Sequence, residues 1–130
     1  MLRIEGDIER PRELSFDDLA ALPGQIADVA TLAKGRTGGA VPLRSVLDAV
    51  GVSPAAARVT LESTDGTFSQ EAPLAALGSA VLVYRSGDGP LPPGEGGPIR
   101  FLVPNLEECE RAGIDRCTNV KALGRIRLSR

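Results

Sequence analysis

The chain has 130 residues, enough for one hydrophobic core of ordinary size, and its 42% hydrophobic and 25% charged residues are those of a folded protein, not a disordered one. Lys and Arg number 15 against 17 Asp and Glu, a formal charge of −2 that excludes any global attraction to nucleic acid or to an anionic membrane. There is no histidine, which removes the commonest general base and the commonest metal ligand.

Along the chain, residues 2–8 alternate apolar and polar and predict a half-buried strand that Pro11 ends. Ser15 stands as a helix N-cap with Asp18 three positions on, and Pro23-Gly24 stops the short helix that follows. Residues 26–32 are rich in β-branched side chains and predict a second strand, after which residues 34–39 carry too much glycine for regular structure and form a loop. Leu43, Val46, Leu47 and Val50 have the spacing of an amphipathic helix, with Pro42 suited to its first turn and Gly51 to its C-terminal cap.

Residues 58–62 and 67–70 flank Ser63-Thr64-Asp65-Gly66, and an Asp-Gly pair between two strand-like runs predicts a hairpin. A single helical turn over 73–77, a buried strand over 80–84, a Gly/Pro loop over 86–98 and a strand over 99–103 follow. Residues 106–113 read as a short acidic helix and 120–128 as the last strand, with Lys121, Leu123, Arg125 and Arg127 on its outer face. The whole predicts a single α+β domain over residues 1–130, with a mixed or antiparallel sheet and short helices. No segment has the length of a signal peptide's apolar core or of a membrane helix, so a cytoplasmic protein is expected.

Catalytic chemistry finds little support. Cys109 and Cys117 lie eight positions apart with no histidine to complete a zinc site, and two free thiols are expected of them. The adjacent pairs Asp17-Asp18 and Glu107-Glu108 read as solvated helix faces. No activated nucleophile is evident, so the sequence names no catalytic residue and no metal ligand. Anion binding is the better lead. In Lys34-Gly35-Arg36-Thr37-Gly38-Gly39 the glycines let backbone N–H groups converge while Lys34 and Arg36 supply charge. After Asp115 five cations, Arg116, Lys121, Arg125, Arg127 and Arg130, follow without a carboxylate.

Several segments taken together carry a family resemblance: IEGDIERP from Ile4, LSFDDLAALP from Leu14, VPLRSVLDAVGV from Val41, STDG from Ser63, GGPIRFLVP from Gly96, and NVKALGRIRL from Asn119. In this order the chain resembles the oxidoreductase molybdopterin-binding domain of the sulfite oxidase family. The resemblance implies that fold and a phosphorylated pterin lying across it, with Arg100 and Lys121 bordering the cofactor or its phosphate. It also implies a cysteine ligand to molybdenum in a loop after the second strand. The matching stretch here is Leu32-Ala33-Lys34-Gly35-Arg36, and Ala33 offers no donor atom.

The cofactor-binding candidates are therefore Lys34, Gly35, Arg36, Arg100, Asn119 and Lys121, with molybdopterin or a phosphate-like anion as ligand and molybdenum not expected. Neither nucleic acid nor membrane is expected as a partner, and a protein partner is left open. Three functions remain in competition: a pterin- or anion-binding module without redox activity of its own, a molybdenum oxidoreductase with an unconventional ligand, and a non-binding interaction domain.

Overall fold

Two β-sheets share the main hydrophobic core of the computed structural model, which describes residues 2–29, 38–66, 69–74, 80–87, 89–92, 94, 97–102 and 122–130. The first sheet contains β1 (Leu2–Gly6), β2 (Arg12–Leu14), β4 (Arg58–Ser63), β5 (Ser69–Pro73) and β9 (Leu123–Ser129), in the order β2-β1-β9-β4-β5. The second contains β3 (Gly39–Pro42), β6 (Val81–Ser86) and β7 (Gly89–Pro90), with β8 (Arg100–Leu102) also paired to β6. Two short helices, α1 (Phe16–Ala20) and α2 (Leu43–Val50), complete the described elements.

The first sheet is mixed. β1 runs parallel to β9, with Ile4 opposite Ile126, and antiparallel to β2, while β4 is antiparallel to both β9 and β5. Its inward residues, including Leu2, Ile4, Val59, Leu61, Ile126 and Leu128, are almost fully buried. Gly6 closes the parallel pair at φ +95°, where a side chain would collide with the Leu128 carbonyl, so only glycine fits this approach. The second sheet adds Val41, Leu82, Tyr84 and Phe101 to the same core. Its other face holds a smaller cluster of Val29, Ala40, Val81, Val83, Leu91 and Leu102.

The helices form for the reasons their sequences give. Ser15 caps α1, accepting from the Asp18 N–H at 3.2 Å, and Asp18 returns the bond by accepting from the Ser15 N–H at 2.9 Å. α2 buries Leu43, Ser45, Val46 and Val50 and ends at Gly51, whose φ of 72° is left-handed. Its start differs from expectation. Pro42 is the extended N-cap and the last residue of β3, so it lies just outside the first turn.

Other elements also depart from the sequence reading. Of the strand expected over 26–32, Ile26 makes only an isolated bridge to Ala40, residues 27–29 are not strand, and 30–32 lie outside the described residues. Gly39, expected in a loop, opens β3 instead. Pro73 belongs to β5; of the helical turn expected over 73–77, Leu74 is 3-10 helical and 75–77 lie outside the described residues, while β2 occupies a stretch given no element and β7 lies within the expected Gly/Pro loop. The Asp-Gly hairpin forms between β4 and β5, with Gly66 at φ 75°. The helix expected over 106–113 lies outside the described residues.

Candidate functional site

The centre of the second sheet is β6. β3 flanks it on one side, with Ala40 opposite Val83, and β8 on the other, with Arg100 opposite Val83. Residues directly paired across strands share a face, so Arg100 stands on the face of Val83, Leu102 and the smaller apolar cluster. Gly38 approaches the same point from the other side. At φ +116°, a Cβ on Gly38 would stand 3.0 Å from Val83 Cγ1, 3.8 Å from Leu91 Cδ1 and 2.8 Å from the Arg85 carbonyl oxygen. No other residue fits there without moving backbone, which accounts for the glycine that ends the cationic Lys34-Gly35-Arg36 segment.

The start of the last strand lies close by. The Leu123 N–H donates to the Ile99 carbonyl at 2.7 Å, directly before Arg100, and the Thr64 N–H donates to the Ala122 carbonyl at 2.7 Å. Three stretches far apart in sequence, the end of the glycine loop, Arg100 and the start of the last strand, therefore have described residues around one end of the second sheet. Arg100 is partly buried and engaged by other groups. Lys34, Gly35, Arg36, Asn119 and Lys121 lie outside the described residues, as do Ala33, Cys109 and Cys117. Among the described residues no three His, Cys, Asp or Glu side chains gather as a metal site.

The cationic run that the sequence left without carboxylates finds them across the sheet. Arg125 Nε is 3.1 Å and Arg127 Nη2 3.3 Å from Glu5 Oε1 of β1, and Arg130 Nε is 3.2 Å from Asp7 Oδ2. From β4, Glu62 Oε2 lies 3.7 Å from Arg125 Nη1 and 3.8 Å from Arg127 Nη2. Arg125 is thus held by two carboxylates, Glu62 from β4 and Glu5, which the parallel β1–β9 pairing brings from the opposite end of the sequence. Beside this network lies an open groove of about 600 Å³, lined among others by Arg3, Glu62, Thr64, Asp65, Gly124 and Arg125. Arg100, the sequence-predicted binding residue that lies among the described residues, is not one of those lining it.

Sequence reasoning also passed over Arg85, at the end of a buried apolar strand. It lies opposite Gly39, with its guanidinium carbon 5.8 Å from the centre of the Tyr84 ring. The only signal in the sequence was a cation closing the run Ala80–Tyr84 just before the Gly/Pro loop.

Comparison with known proteins agrees with this fold. A family model described as the oxidoreductase molybdopterin binding domain matches residues 1–130. Among solved structures, the sulfane dehydrogenase SoxCD from Paracoccus pantotrophus is similar, with a TM-score of 0.67 at 20% sequence identity. The match covers 98% of this chain and 37% of that one, so this chain spans well under half the length of its relative. No protein of curated function matches.

Proposed function

Because the chain belongs to the oxidoreductase molybdopterin-binding domain family, we propose that it binds a phosphorylated pterin of the molybdopterin type as a carrier or accessory module, without molybdenum redox chemistry of its own. The observation that carries this reading is the meeting of Gly38 and Arg100 around Val83, at the sheet end where the Leu123–Ile99 bond also returns the last strand. In this reading Lys34, Arg36, Arg100 and Lys121 would supply charge to the phosphate, and Gly35 and Asn119 would supply hydrogen-bond donors. The pterin brings the anion and any metal chemistry, and the protein's part is to bind and orient it.

The donor set fits the organic half of such a cofactor better than the metal half. Cationic and glycine residues suit a phosphate, whereas Ala33, at the position where the family resemblance puts the ligand cysteine, has no atom to give a metal, and no histidine exists to replace it. We propose a cytoplasmic location. No helix among the described residues is long and apolar enough to cross a membrane.

The test is calorimetric titration of the wild type and Lys121→Ala with a phosphorylated pterin at low and high salt. A charge-assisted hydrogen bond contributes about 1.5–3 kcal/mol, so Lys121→Ala should bind about tenfold more weakly or worse, and salt should weaken both proteins. Equal affinities, or no binding at low salt, would turn the reading toward an interaction domain without a ligand.

A further inference from the structure

Arg85 differs in its surroundings from the other described strand arginines that face solvent. Those of β1, β4 and β9 reach carboxylates: Arg3 to Glu5, Arg58 to Glu71, and Arg125 and Arg127 to Glu5 and Glu62. Arg44, in α2, is exposed. Arg85 is partly buried, and among the described residues it makes no ion pair and no side-chain hydrogen bond. Its guanidinium lies near the Tyr84 ring, a contact that offsets some loss of hydration but satisfies none of its five N–H donors.

The backbone opposite is shaped to this side chain. A Cβ on Gly39 would stand 2.7 Å from Arg85 Nε, 3.0 Å from Nη2 and 3.2 Å from Cζ. The guanidinium therefore lies in the space that any side chain at position 39 would fill. Gly39 does not need glycine for its backbone angles, since its φ is not among the positive ones. The room it leaves is taken by Arg85. A planar fork placed beside a strand and a ring, with no hydrogen-bond or ion-pair partner among the described residues, can take two oxygens of one anion.

From this geometry we infer that Arg85, positioned by Gly39 and Tyr84, is a ligand for a tetrahedral oxyanion. The anion is of the phosphate or sulfate type and comes either from the phosphate of a bound pterin or from free solution. The location at the end of the glycine loop connects this inference to the pterin reading, but the Arg85 geometry stands without it.

The experiment follows the Arg85 Nε–Hε signal by NMR while inorganic phosphate is added, in the wild type, Arg85→Gln, Arg85→Lys and Gly39→Ala, with thermal unfolding of each as a control. In the wild type the signal should shift on saturation, and phosphate should raise the melting temperature. Arg85→Gln, followed through backbone amides, should bind phosphate about tenfold more weakly or worse, with Arg85→Lys in between because it keeps the charge and loses the fork. Gly39→Ala should remain folded and weaken binding by displacing the guanidinium, a result that a purely structural Arg85 would not give. Phosphate affinity unchanged in both Arg85→Gln and Gly39→Ala would overturn the inference.

Repeating the titration with phosphorylated pterin present separates the sources. Competition for Arg85 identifies the pterin phosphate as the anion, and simultaneous binding identifies a free oxyanion. If the pterin does not bind at all while phosphate still depends on Arg85, the proposed function fails and the Arg85 assignment stands.

Discussion

Asp18 shows how a single carboxylate secures a short helix. The Ser15 backbone N–H donates to it at 2.9 Å and the Ser15 hydroxyl at 3.0 Å, with Arg12 at 3.9 Å. The Ser15 backbone bond and then the hydroxyl hold its carboxyl below the ordinary value of 3.8; slight desolvation opposes them, and the Arg12 charge assists. A carboxyl depressed on folding contributes stability that is fully present above the unfolded value and is lost as pH falls through the folded one. The wild type should therefore lose this contribution on acidification from just below 3.8, whereas Asp18→Asn has none to lose. Urea unfolding of both proteins from neutral to acidic pH should show the gap between them closing as pH falls; a gap constant with pH would contradict the assignment. The Ser15–Asp18 cap was legible in the sequence because both partners lie within one turn. The partners of Arg125, Arg127 and Arg130 were not, because Glu5 and Asp7 come from the other end of the chain.

Among the elements, β9 carries the most instructive difference from its sequence pattern. Strict alternation puts Leu123 on the outer face with Arg125 and Arg127, yet Leu123 is buried along with Ile126 and Leu128. The register explains this: Ser63 pairs with Leu123 and Glu62 with Arg125, leaving Gly124 as an extra residue that reverses the phase. Gly124 packs so closely on Thr64 that a Cβ would meet its Cα at 2.8 Å. Just before the bulge, Ala122 adopts φ 51°, a conformation that its Cβ disfavours.

Left-handed geometry costs a non-glycine residue about 1–2 kcal/mol, and glycine's greater freedom in the unfolded chain returns about 0.5–1 kcal/mol of that, so Ala122→Gly should stabilise the protein by about 0.5–1 kcal/mol. Urea unfolding measures it, and a destabilised variant would mean that the Ala122 methyl makes packing contacts worth more than the strain. Periodicity made α2 and the buried run of β6 readable. β3 was hidden because its first residue is glycine and its last is proline, and both are poor strand formers away from their neighbours.

At the scale of the whole molecule, the α+β class was readable from the alternation of strand and helix signals, but the division into two sheets was not. That division depends on β1 pairing in parallel with β9, a contact between the two ends of the sequence that no local pattern encodes. The same long-range closure draws Arg125 and Arg127 of the last strand into ion pairs, and the proposed ligand site lies elsewhere, at the second sheet around Gly38, Val83 and Arg100.

Of the candidates for phosphate contact named from sequence, Arg100 alone lies among the described residues, and its position opposite Val83 could not have been deduced from the Gly/Pro loop before it. The proposed function requires this fold to retain a phosphorylated pterin without a protein ligand to the metal. Native mass spectrometry of the protein purified from its own host tests it most directly. The expected result is the mass of the chain plus a phosphorylated pterin, released intact on denaturation; the mass of the bare chain alone would overturn the proposed function.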